Sequence, residues 1–69
     1  MPVGVVHIGK RLKDLRFRAG LTQEELAQKA GTTQTTVARI ERNAVEPEVT
    51  TIRKLANALG VTPGDLLGD

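Results

Sequence analysis

The sequence predicts an all-α fold, a compact bundle of five short helices. Three observations carry that expectation. Apolar residues recur at helical rather than alternating spacing; Gly, Pro and Thr punctuate the chain at intervals of one short helix; and the absence of cysteine leaves apolar packing, with no disulfide or thiolate metal site, to hold the fold. At 69 residues there is room for one domain, whose core leaves a small net stability.

The first helix is expected from about Ile8 to Ala19, because Ile8, Leu12, Leu15 and Ala19 fall on one face and Gly20 stops it. Residues 1–7 are expected to form a flexible arm, and 8–69 the domain. The second helix opens at Thr22, whose hydroxyl can cap it while Glu25, three residues on, answers as the other half of a capping box. Leu26, Ala27 and Ala30 make its inner face, and Gly31 closes it by taking the positive φ that a residue just past a helix end often needs. The third helix follows from an N-cap at Thr33 and runs to about Arg42. Val37 and Ile40 are its only strongly apolar positions, a narrow stripe that leaves most of the helix exposed. A fourth helix is expected from about Thr50 to Leu59, burying Ile52, Leu55, Ala56 and Leu59 and ending at Gly60. Thr62 and Pro63 then suit the N-cap and first position of a short fifth helix carrying Leu66 and Leu67.

The pair of helices around Gly31 is the informative object. A short turn there forces the two axes to cross steeply, as in a helix-turn-helix, and close crossing needs small side chains at the contact. Ala27 and Ala30 supply them, while Leu26, Val37 and Ile40 supply an apolar lock. The motif spans residues 22–42.

Net charge is only +2, but it is unevenly spread. Through Asn43 the chain carries Lys10, Arg11, Lys13, Arg16, Arg18, Lys29, Arg39 and Arg42 against Asp14, Glu24, Glu25 and Glu41; beyond it Arg53 and Lys54 face Glu46, Glu48, Asp65 and Asp69. Such asymmetry fits either a basic face for a polyanion or a solvated mixed surface. Enzyme chemistry lacks its parts: there is no Cys/His or Ser/His pair with an orienting acid, no phosphate-cradling glycine loop and no metal cluster. No metal or other cofactor is expected, since His7 is the sole histidine and no carboxylate cluster sits at ligand spacing. The apolar-leaning start, MPVGVVHIG, is too short for a membrane span and lacks the order of a secretory signal, so the expected setting is the cytoplasm.

The stretch LTQEELAQKAGTTQTTVARIER resembles the helix-turn-helix of the lambdoid phage repressor and Cro family, also called the XRE family. The resemblance runs from about Ile8 to Leu67, with RLKDLRFRAGLTQEELA similar to the family's first helix and TIRKLANALGVTPGDLL to its last two. It implies the lambda-repressor-like five-helix fold and a regulator of transcription that binds double-stranded DNA, the third helix in the major groove and the second resting against the backbone.

Position on the helix selects the readers. At roughly 100° per residue, Thr35, Arg39 and Arg42 lie opposite the Val37 and Ile40 stripe, and Gln34 projects from the amino end. Glutamine can pair bidentately with adenine, arginine with guanine, and a threonine methyl can touch thymine, so Gln34, Thr35 and Arg39 are the base-reading candidates, at positions the family uses. Ala38 and Thr36 flank them as fillers. Gln23, in the first turn of the second helix, is the phosphate candidate that the resemblance implies, joined by Arg42, Asn43 and the basic residues of the first helix.

Arg16 and Glu41 each sit at the edge of an apolar arc, where charges should pair, and the resemblance implies the same partly buried ion pair. Arg16 is therefore expected to act mainly in structure, with phosphate contact secondary. Asn43 stands where the family usually has glycine, as the residue next most tolerant of a left-handed backbone. The loop Ala44–Glu48 lacks the basic residues that many relatives direct at phosphates, which leaves Val45 as surface or dimer contact. Phe17, off the apolar stripe, is expected at the surface or in an interface. One copy covers one half-site, so a homodimer on a palindromic operator is expected, through Val61, Leu66 and Leu67 or through Val3, Val5 and Val6. The rival reading is a protein-interaction module, such as an antitoxin or bridging factor, holding a protein partner with the same fold.

Overall fold

The computed structural model describes residues 7–68, and all its regular structure is helical: α1 (Gly9–Arg18), α2 (Gln23–Ala30), α3 (Gln34–Glu41), α4 (Val49–Leu59) and α5 (Pro63–Leu67). Apart from His7, which is exposed, the expected arm lies outside the described residues. Helix α2 packs against both α3 and α4, α4 carries α5, and α1 closes the bundle against α3 and α5. The side chains of Leu12, Leu26, Val37, Ile40, Leu55 and Leu66 are sealed at the centre, so every helix contributes at least one anchor. Burying one such side chain contributes about 1.5–3 kcal/mol, which is how five marginal helices hold one another in place.

The caps follow the sequence closely. Thr22 Oγ1 accepts from the Glu25 N–H at 3.0 Å while the Glu25 carboxylate accepts from the Thr22 N–H at 2.9 Å, completing the box at the start of α2. Thr33 Oγ1 accepts from the Thr36 N–H at 3.1 Å at the start of α3. At α5 the expected Thr62 cap is also a full box, because Asp65 returns a bond to the Thr62 N–H. Gly31 has φ 74°, and the Thr32 N–H reaches back to the Ala27 carbonyl at 2.9 Å, a closure that turns the chain directly from α2 into α3.

Several boundaries and faces differ from expectation. Helix α1 is one residue shorter at each end, with Ile8 and Ala19 as its caps, and Ala19 is exposed rather than inward. The buried face of α1 runs Ile8, Leu12, Arg16 instead: the position one turn beyond Leu12 is taken by a charge, which is tolerable inside only because it is paired. Leu15 and Leu59 are half-buried packing partners of the core. Helix α4 starts at Val49, one residue earlier than Thr50, with Glu48 as an N-cap that forms no side-chain capping bond. Leu66 is core and Leu67 is 47% exposed, so of the two only Leu67 is available to a partner.

The bundle also contains a close approach that periodicity did not announce. Gly9 is buried at the start of α1, directly against the end of α3, and a β-carbon there would lie 2.7 Å from the Ile40 carbonyl oxygen. The Gly9 N–H donates to Asn43 Oδ1 at 3.0 Å. The start of α1, its first N–H satisfied by the Asn43 side chain, thus lies against the last carbonyls of α3, which brings opposite helix-dipole ends together.

Candidate nucleic-acid interface

The exposed side of α3 is polar along its length. Val37 and Ile40 are fully buried against the rest of the bundle, and Thr36 and Ala38 are half-buried at the flanks. That anchorage leaves Gln34, Thr35, Arg39 and Arg42 exposed together, as their helical positions require. Among the described residues Arg39 and Arg42 enter no ion pair, so their charges face solvent undiminished.

Beneath this face lies an ion pair. Arg16 Nε and Nη2 donate to the two oxygens of Glu41 at 2.6 and 3.0 Å, a bidentate fork, and Arg16 Nη1 donates to the Leu21 carbonyl at 2.9 Å. The two side chains are 8% and 4% exposed. The Phe17 ring, on a residue otherwise 61% exposed, stacks over the Arg16 guanidinium at 4.7 Å and covers it from outside. Phe17 is thus a surface residue with a partner. Burial pushes the Glu41 carboxyl up, but hydrogen bonds from Arg16 and Gln23 and the charges of Arg16 and Lys13 outweigh it and hold the group below its ordinary range. The hydrogen bond to Glu41, working against burial, raises Arg16 in turn. This geometry answers the split role expected of Arg16. With one hydrogen on each of its three nitrogens engaged and the side chain buried, it is first a structural tie, and one hydrogen on each of Nη1 and Nη2 is left over.

Gln23, the phosphate candidate at the start of α2, already has partners within the chain. Its Nε2 donates to Glu41 Oε1 at 3.0 Å, and its Oε1 accepts from Gln34 Nε2 at 2.8 Å. The first residues of α2 and α3 are thereby joined side chain to side chain across an open groove of about 460 Å³ lined by Arg16, Thr22, Gln23, Glu24 and Gln34. Sequence reasoning paired Arg16 with Glu41 and named Gln23 and Gln34 separately, but missed that Gln23 joins Gln34 to that pair in one chain of hydrogen bonds. The one available signal was that α2 and α3 must cross closely at Ala27 and Ala30, bringing their amino ends within reach. Asn43, exposed at φ 58°, uses its carbonyl oxygen on Gly9, which leaves its amide hydrogens for any outside contact.

A buried helix-turn-helix crossing, capped at both helix starts and presenting one polar helix face, defines a class of DNA-binding domain. The sequence matches the helix-turn-helix family model over residues 12–66, and the chain belongs to that family, in its XRE-type branch. Among its relatives, the transcriptional regulator ImmR of Bacillus subtilis is 39% identical over 61 residues, which are 88% of this chain and 48% of ImmR. The chain thus spans about half the length of that relative. The restriction-modification controller protein C.AhdI from Aeromonas hydrophila superposes with a TM-score of 0.85 at 39% identity, covering 90% of this chain and 94% of that one. SinR, a master regulator of biofilm formation, was solved in complex with DNA; its domain superposes with a TM-score of 0.83 at 36% identity, covering 87% of this chain and 97% of that one. Another structure holds SinR in complex with the SinI protein.

Proposed function

We propose that this chain is a sequence-specific, double-stranded-DNA-binding regulator of transcription that acts by seating α3 in the major groove. The observation that carries the reading is the exposed polar face of α3, Gln34, Thr35 and Arg39, on a helix whose opposite side is fully locked into the core. In this reading those three residues meet base edges. Gln23, Arg42 and Asn43 lie nearest the flanking phosphates, where they set affinity and salt dependence without specifying sequence. Arg16 acts first as the tie to Glu41, and a phosphate contact through its remaining Nη hydrogens is secondary. The reading is non-enzymatic, places the protein with the nucleoid in the cytoplasm, and calls for no cofactor. No helix among the described residues is long and apolar enough to cross a membrane.

A single recognition helix covers one half-site, so the proposal includes a homodimer on a palindrome with half-sites one helical turn, about 34 Å, apart. Val45, Val49 and Leu67 are exposed apolar side chains available to such an interface; Val3, Val5 and Val6 lie outside the described residues. The test is selection of bound duplexes from a random pool, repeated with Gln34→Ala and Arg39→Ala. Each variant is expected to relax preference at its own base pair, by roughly 1–3 kcal/mol. Absence of duplex binding even at low salt would refute the proposal and favour a domain that holds a protein partner.

A further inference from the structure

We infer that Glu41, which reaches no base itself, is a positioning residue for base reading: it fixes the donor–acceptor polarity of the Gln34 amide through Gln23. The inference rests on the proposed role of Gln34 in the groove. Its physical basis is the difference between a carboxylate and an amide. An ionised carboxylate only accepts hydrogen bonds, whereas a glutamine amide presents an acceptor oxygen at one corner and a donor nitrogen at the other, and can be turned over at little cost in shape. Whichever group of Gln23 faces Glu41 must therefore be its Nε2, which stands 3.0 Å from Glu41 Oε1. That turns Gln23 Oε1 towards Gln34, where only the Gln34 nitrogen can answer, and Gln34 Nε2 does so at 2.8 Å. One acceptor-only group at the head of the chain thus sets both amides.

What remains free on Gln34 is its Oε1 and one Nε2 hydrogen. Those are an acceptor and a donor in fixed order, the pattern that matches the N6 donor and N7 acceptor of adenine in the major groove. Were the Gln23 amide turned over, its nitrogen would donate to Gln34 Oε1 and the order presented to the groove would reverse. Glu41 is itself held in place. Both its oxygens are occupied by Arg16, its side chain is 4% exposed, and the Phe17 ring lies 4.7 Å from the Arg16 guanidinium carbon. The Arg16–Glu41 pair consequently serves two ends, joining α1 to α3 and orienting the amide that reads.

The test measures base preference alongside affinity. Binding of the selected duplex and of its three single-base variants at each position is measured by fluorescence anisotropy at fixed salt. The base pair that Gln34 reads is identified as the one whose preference Gln34→Ala relaxes. Glu41→Gln keeps the shape but supplies an amide that can face Gln23 with either corner. It is expected to lower discrimination at the Gln34 base pair by about fivefold or more, while discrimination at the Arg39 base pair stays within about twofold. Gln23→Leu leaves Arg16 and Glu41 paired and cuts the chain at its middle, so it should lower the same discrimination, and the double variant should lose no more than either single one. If Glu41→Gln does not fold, the comparison is decided by Gln23→Leu alone. Unchanged preference at the Gln34 base pair in folded Glu41→Gln or in Gln23→Leu overturns the inference, as does an equal fall at every base pair. If Gln34→Ala relaxes no base pair, the base-reading role of Gln34 falls together with it, whereas a Gln34→Ala effect without a Glu41→Gln effect removes the inference alone.

Discussion

Replacing Gly9 by alanine tests the packing of α1 on α3, because a methyl group there has nowhere to go. A β-carbon would stand 2.7 Å from the Ile40 carbonyl oxygen and 2.8 Å from Asn43 Oδ1, and closer still to the Glu41 carbonyl. Two of these three neighbours are backbone atoms at the end of α3 and cannot rotate aside, so α1 must shift outward. Forced repacking of a tight contact typically costs about 1–3 kcal/mol. The same shift stretches the hydrogen bond from the Gly9 N–H to Asn43, costing about another 1 kcal/mol. Against this, alanine gains at most about 1 kcal/mol over glycine in helix propensity, and less in a first turn. The balance is a loss of about 2 kcal/mol. For a domain of this size that lowers Tm by roughly 8–16 °C, read by thermal melting in far-ultraviolet circular dichroism. Gly64→Ala is the control, since its β-carbon would meet Thr62 Oγ1 at an ordinary 3.6 Å and should leave Tm unchanged or raise it. A Gly9→Ala protein that melts at or above the parent temperature would refute the close-approach argument.

Further predictions concern charge and capping. Because the folded-state pKa of Glu41 is depressed, its contribution to stability is complete above the unfolded glutamate value, about 4.3, and is lost as pH falls through the lower folded value; Glu41→Ala should flatten that acid limb of a stability–pH curve. The same variant leaves Arg16 buried without its partner and should cost about 3 kcal/mol at neutral pH, measured by urea denaturation; an unchanged midpoint would show the pair to be dispensable. Asn43→Ala removes the acceptor for the Gly9 N–H and puts a less tolerant residue at φ 58°, a loss of about 2 kcal/mol, whereas Asn43→Gly relieves the backbone while losing the bond and should cost less than half as much. Arg42→Ala should weaken DNA binding similarly for all sequences and reduce the slope of log affinity against log salt by about 1, measured by salt titration of anisotropy.

How much of this was legible in the sequence depends on whether a signal is local. The caps at Thr22, Thr33 and Thr62 and the turn at Gly31 are written within a few residues of where they act, and they lie where the pattern put them. The pairing of Arg16 with Glu41, 25 residues apart, was readable because each charge falls on an otherwise apolar arc, which leaves pairing as the way to occupy it. Gly9 was not readable. A glycine at a helix start looks like weak propensity until the neighbouring helix end is in place, and its constraint comes wholly from atoms over 30 residues away, such as Asn43. The Gln23 link was hidden for a related reason: a long polar side chain at a helix start has many partners open to it, and only the crossing of α2 and α3 selects Glu41 and Gln34.

On the proposed reading, the two readers on α3 should behave differently. Gln34 is held by Gln23 before any DNA arrives, whereas Arg39 is exposed and makes no ion pair among the described residues. Ordering a long free side chain at an interface costs about 0.5–1.5 kcal/mol, a cost that Arg39 meets on binding and Gln34 has largely met on folding. If Arg39 reads a guanine as proposed, it can accordingly shift to a neighbouring base or phosphate where that guanine is absent, whereas moving Gln34 breaks a chain of bonds that ends at the Arg16–Glu41 pair. Discrimination should be sharper at the Gln34 base pair even where Arg39 contributes more to total affinity. Under that reading, stability and specificity share a part in this small domain. A substitution that loosens α1 from α3 will blur base preference at one position before it abolishes binding.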